Sequence, residues 1–180
     1  QSSAFGGELL AANSILFQIQ FIMGDILTGL SQAGAIYSGI AFGEHNKPML
    51  NDTLRISFIW AIGFGLAQSV GYYACRHAIL SCFTDLPSVI HTAQEYDLFI
   101  AFFPLISALG IVYYGVFNGA LYTKPICISM LLTVSCYLTA YFTLIPLYGN
   151  IGLWLAFLVF YIARSGFLLL FVPKLQQRFA

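Results

Sequence analysis

Charge is scarce in this sequence: seven Lys and Arg and seven Asp and Glu make up 8% of 180 residues. A soluble domain carries about 25% charged residues, because its surface must face water. A coat that thin cannot cover a water-soluble globule, so lipid is the expected solvent. A basic tract is absent and the net charge is zero, which leaves no support for a nucleic-acid partner. The four cysteines, Cys75, Cys82, Cys127 and Cys136, form no CxxC pair, so neither a metal nor a zinc site is expected. They read as free thiols packed among helices.

Enzyme signatures are missing too. There is no HExxH, no GxSxG and no phosphate-cradling glycine loop. Gly24-Asp25 is similar to the GxGD motif of intramembrane aspartyl proteases, but Ile22 stands where the first glycine is required. A single intramembrane acid cannot form a proton-sharing dyad. The expectation is therefore no catalytic residue and no cofactor. Neither an initiating Met nor a basic segment precedes the first apolar stretch, and the first Lys or Arg is Lys47. On this ground the chain is expected to begin inside a longer polypeptide.

What is abundant is apolar sequence: 59% hydrophobic residues, with mean hydropathy +0.84. Five stretches stand out, at about 9–42, 54–80, 98–122, 126–147 and 151–172. A span needs about 20 apolar residues at 1.5 Å each, so the last four fit one helix apiece. The first is too long and should bend, tilt or protrude, with Gly24, Gly29, Gly34 and Gly39 as places to do so. Polar turns separate the stretches: 43–48, then 84–88 leading into a polar entry to the third span, then Lys124-Pro125, with Pro at the first position of the fourth helix. Tyr148-Gly149-Asn150 turns into the fifth helix and Pro173 ends it, while Pro104 should kink the third. The expected fold class is all-α, a polytopic transmembrane bundle over residues 9–180.

Lys47, Arg55, Lys124, Lys174 and Arg178 fall on one side of a five-span weave, and Arg76 alone on the other. The positive-inside rule then puts the N-terminus outside and the C-terminus in the cytoplasm.

Chemistry is expected where polar residues share a helix face. Ser14, Gln18, Asp25 and Gln32 fall within about 40° of one another at 100° per residue. Such a stripe in lipid leaves polar groups unsatisfied, so it should face a bundle interior or a wet cavity. Asp25 is the only carboxylate well inside a span, which points to a proton or cation carrier or a contact for a cationic substrate. A hydrogen-bonded structural role, or a place near the interface, stays open for it. Ser107, Tyr114 and Asn118 repeat the pattern on the third span, and Ser129, Thr133, Cys136 and Thr143 on the fourth. Three such helices imply a shared cavity. A second, small-residue ridge (Ser31, Ala35, Gly39, Gly43) and the pair Gly115 and Gly119 read as helix-packing positions. Arg164 either snorkels to an interface or pairs internally, with Asp25 as one conceivable partner.

Several phrases together carry a family resemblance. Leu10-Ala11-Ala12-Asn13 opens the first helix, and Gly29, Gly39 and Gly43 follow at G-x(9)-G-x(3)-G spacing. Then come Cys82-Phe83-Thr84-Asp85, Phe117-Asn118-Gly119-Ala120, Gly149-Asn150-x-Gly152-Leu153-Trp154 and Ala163-Arg164-Ser165-Gly166. In this order they resemble the C-terminal lobe of multidrug and toxic-compound extrusion (MATE) transporters, nearest the DNA-damage-inducible branch. The resemblance implies helices eight to twelve of twelve, with residues 1–8 leaving a preceding helix and an N-terminal lobe of the same polypeptide as partner. It also implies a bacterial inner membrane, a small amphiphilic or cationic substrate, and proton- or sodium-coupled antiport by alternating access. Two acids frequent in that branch are replaced by Thr28 and Tyr114, which leaves Asp25 as the candidate for coupling. Two other readings stand beside this one. A lipid-linked oligosaccharide flippase should carry several bases for pyrophosphate; a non-transporting scaffold subunit has no need of polar stripes.

Overall fold

The computed structural model describes residues 2–178, with side chains from residue 6 onward. Every regular element among them is a helix: α1 (Ser2–Gly43), α2 (Lys47–Ser81), α3 (Pro87–Gln94), α4 (Asp97–Gly119), α5 (Thr123–Tyr148), α6 (Asn150–Leu169) and α7 (Val172–Gln177). Five of them, α1, α2, α4, α5 and α6 (with α7 continuing the last), are long and apolar enough to cross a membrane. The protein is an all-α integral membrane protein.

The boundaries differ from the sequence reading where hydropathy and helicity part company. The backbone from Ser2 to Glu8 continues α1. At 42 residues this helix is about 63 Å long, roughly twice a hydrocarbon core. The α2 helix starts at Lys47, ahead of the apolar run. Asn46 caps it by accepting the Met49 N–H at 3.0 Å, and Pro48 lies in its first turn, where no hydrogen bond is lost. Pro125 is not the first residue of its helix, because α5 already begins at Thr123. Pro104 sits inside α4, buried where Gly65 of α2 comes close to its carbonyl. Gly149 turns at φ +56°, a conformation that costs glycine nothing and lets α5 reverse into α6. The break between α6 and α7 precedes Pro173, which lies in the first turn of α7 behind Val172.

The short α3 covers one end of the bundle, packing Val89 and Ala93 among Leu16, Leu80 and Ile100. The opposite end is closed by Leu50, Leu54, Phe117, Leu168 and Leu175. The α1, α2 and α4 helices form the tight centre, α6 packs against α4, and α5 lies outside, resting chiefly on α6.

At the α3 end an ion pair ties α2 to α4. Arg76 Nη1 lies 3.3 Å from Asp97 Oδ2, with the Asp97 side chain 3% exposed and that of Arg76 41% exposed. Removing one partner of a buried pair strands the other, at about 3–5 kcal/mol. Water reaches Arg76, so Arg76→Ala in the full-length protein should cost about 2 kcal/mol. The double change Arg76→Met with Asp97→Leu should recover most of it. Thermal unfolding in detergent reads both, and a double variant as unstable as the single one would contradict this account. The four cysteines are free thiols, none of them in a disulfide.

Candidate substrate cavity

Three sets of polar bonds hold α1, α4 and α6 around a hollow. On the α1–α4 seam, Ser31 Oγ donates to the Ile111 carbonyl at 2.8 Å and Ser38 Oγ to the Val116 carbonyl at 2.6 Å. These bonds form because Gly115 and Gly119 lie directly under α1: a Cβ on either would fall on the carbonyl oxygen of Ser31 or Ala35. Gly39 sits at ordinary contact distance from Gly119, 3.4 Å from the position its Cβ would take. Gly43 is exposed, with nothing among the described residues within 4 Å of a Cβ. Between α4 and α6, Ser165 Oγ donates to the Ile106 carbonyl at 3.0 Å and accepts the Gly110 N–H at 3.1 Å. Between α1 and α6, the Asn13 and Asn150 amides bond each other at 2.7 and 3.2 Å, and Trp154 Nε1 donates to Asn13 Oδ1 at 3.2 Å.

The hollow has a volume of about 620 Å³, within the range of drug-sized ligand sites. Its walls are aromatic: Phe17 and Phe21 from α1, Phe103 and Tyr114 from α4, Phe157 and Tyr161 from α6. Asp25 enters it from α1 and Arg164 from α6. Asp25 lies twelve residues beyond Asn13 and Arg164 fourteen beyond Asn150, which puts them about 18 and 21 Å from that junction. The two charges therefore sit at matching depth. They form no ion pair: among the described residues the salt bridges are Arg76–Asp97 and His91–Glu95. The Arg164 guanidinium lies over the Tyr114 ring, 5.8 Å from its centroid.

Of the residues expected from sequence, Ser14, Asp25, Gln32 and Tyr114 line this one cavity. Gln18 and Asn118 are exposed and do not line it. Thr133 is fully buried, its hydroxyl turned back onto the Ser129 carbonyl at 2.7 Å. Ser14 is likewise occupied, donating to the Leu10 carbonyl at 2.8 Å. Of the third polar stripe, Ser129 lines a smaller adjoining hollow with Tyr114 and Arg164, while Cys136 and Thr143 line a separate, more open one on α5. Sequence reasoning missed Gln20, which reaches the cavity beside Tyr161 while its Oε1 stays buried and unpartnered among the described residues. It lies about 140° round the helix from Asp25 at 100° per residue, so no stripe could include both.

Matched against known families, residues 2–143 fit the MatE family model. The chain belongs to the MatE family. Among curated proteins, this MatE chain is similar to DNA damage-inducible protein F of Escherichia coli (strain K12), at 26% identity over 160 residues. That alignment takes in 89% of this chain and 35% of the relative, so the chain spans about a third of the relative's length. MatE proteins are membrane transporters, which accords with five apolar helices, three of which line an aromatic hollow that Asp25 and Arg164 enter.

Proposed function

We propose that this MatE chain forms part of a secondary active transporter that expels small amphiphilic organic cations or drugs in exchange for protons or sodium. The observation that carries this reading is the cavity itself: one carboxylate, Asp25, opens into a drug-sized aromatic hollow between three membrane helices. A carboxylate at that depth is costly in lipid, and binding a proton, a metal cation or an organic cation relieves the cost. Alternating access then needs only that the groups competing for Asp25 come from opposite sides of the membrane. In this reading the rest of the polypeptide supplies the facing wall, and the lysines and arginines beside α2, α5 and α7 mark the cytoplasmic side. A pyrophosphate-linked cargo has less support, because Arg164 is the only base lining the cavity.

The test uses the full-length polypeptide in proteoliposomes loaded with a cationic dye. An imposed inward proton or sodium gradient should drive dye release, and an ionophore that collapses the gradient should stop it. Release indifferent to both gradients would overturn the coupled-transport reading.

A further inference from the structure

Away from the cavity, the seam between α2 and α4 gathers polar atoms that have nothing to bond. Seven buried side-chain atoms lack a hydrogen-bond partner among the described residues, and five of them stand here: both amide atoms of Gln68, the Ser69 and Tyr72 hydroxyls, and Asp97 Oδ2. Gln68, Ser69, Tyr72 and Arg76 all fall within about 60° of Gly65 at 100° per residue. Gly65 marks where α2 meets α4, since a Cβ on it would lie 3.0 Å from the Pro104 carbonyl oxygen. Towards α3 the antiparallel seam ends where Arg76 pairs with Asp97. One turn from Gly65, Ser69 therefore stands level with Ile100 and Ala101. Tyr72 is 2% exposed and close enough to feel both Asp97 and Arg76.

The α4 side adds an acceptor. Pro104 has no N–H, so the Ile100 carbonyl lacks the helix bond that the residue four places on would give it. Ala101, on the same face as Asp97 and Pro104, brings only a methyl group. Polar atoms buried bare are costly, and internal water is their common partner. The set suits water better than a metal ion. Gln68 Nε2 and the two hydroxyls donate, while Gln68 Oε1, Asp97 and the Ile100 carbonyl accept, and water serves both kinds. A metal ion has no use for the amide N–H, and Arg76 already neutralises the one carboxylate. The Arg76 side chain is 41% exposed, which gives water a way in from the α3 end.

We propose that the α2–α4 seam is a built water site, in which ordered water completes the bonds of Gln68, Ser69, Tyr72 and the Ile100 carbonyl. It makes Pro104 a solvated joint in α4: as the helix bends, the freed carbonyl keeps a partner. Phe103, Ile111 and Tyr114 of the cavity wall lie beside or beyond that joint.

The test is X-ray hydroxyl-radical footprinting of the full-length protein in lipid nanodiscs and isotopically labelled water, read by mass spectrometry. Water split at a buried site labels the side chain beside it. Tyr113 is the control, being 6% exposed with its hydroxyl bonded to the Leu54 carbonyl at 3.1 Å. Tyr72 should take up label about tenfold faster than Tyr113. Gln68→Leu with Ser69→Ala removes the partners of the water at little change in volume, so Tyr72 labelling should fall to the Tyr113 level. In that variant, hydrogen exchange at the α4 amides following Pro104 should slow about tenfold as the joint dries. Pro104→Ala returns the helix bond to the Ile100 carbonyl and should lower both readings, which keeps the test open if the double variant does not fold. Tyr72 labelled no faster than Tyr113, or either reading unmoved in both variants, would overturn the proposal. So would loss of Tyr72 labelling when sodium chloride replaces choline chloride, because the seam would then hold the cation.

Discussion

Asp25→Asn in the full-length polypeptide should reduce gradient-driven dye efflux to the leak of empty vesicles, with insertion and thermal stability unchanged. Asn keeps the size and hydrogen-bonding shape of the side chain and removes only its ability to exchange a charge. Asp25 is exposed in the described structure and engaged in no ion pair, so the fold does not depend on its carboxylate. Its neighbours on the α1 face cannot substitute. The Ser14 and Thr28 hydroxyls are bonded to the Leu10 and Gly24 carbonyls of their own helix, at 2.8 and 2.9 Å. Tyr114 lies under Arg164. No other carboxylate lines the cavity, and coupling requires a group whose charge changes when a proton or cation binds. Asn variants that retain full gradient-driven efflux would move coupling out of this part of the polypeptide.

The helical architecture was legible because lipid imposes a simple rule: a span needs a long apolar run, and five runs show it. What hydropathy does not report is how far a helix continues beyond the hydrocarbon. The α2 helix starts seven residues before its apolar stretch because Asn46 and Pro48 supply a good N-terminus; that signal is a capping signal, carried by residues that read as a polar turn. The site was legible to the extent that one helix carried it. Ser14, Asp25 and Gln32 share a face of α1 and do share a cavity. Polar stripes on other helices were ambiguous, because a Thr within a helix can serve its own backbone as readily as a ligand. Thr133 does the former. The small residues Ser31, Ala35, Gly115 and Gly119 did mark a close helix seam, but which charged residues meet across helices could not be read. Arg76 with Asp97 and Asp25 with Arg164 are distant in sequence, and only the packing of α1, α2, α4 and α6 decides which pair closes and which stays apart.

That packing turns on two glycines, and alanine there should reverse the usual sign of a glycine-to-alanine change. At an open helix position the substitution gains up to about 1 kcal/mol, through lower chain entropy in the unfolded state. Gly29 and Gly71 are open, with nothing within 4 Å of a Cβ, so Gly29→Ala and Gly71→Ala should be neutral or slightly stabilising. Gly115 and Gly119 face the α1 backbone itself, and a backbone carbonyl cannot rotate aside as a flexible side chain does. Gly115→Ala and Gly119→Ala must therefore push α1 away from α4. Overpacking of this kind costs about 1–3 kcal/mol. The bonds of Ser31 and Ser38 to the Ile111 and Val116 carbonyls would stretch as well, each at a net cost of about 1 kcal/mol. A loss of about 3 kcal/mol in each variant is expected, measured by thermal unfolding of the full-length protein in detergent. The same seam sets the spacing between Asp25 and Tyr114 across the cavity, so dye binding should weaken along with stability. If Gly119→Ala instead behaves as Gly29→Ala does, the α1–α4 seam is not the close backbone contact described, and the cavity geometry built on it falls as well.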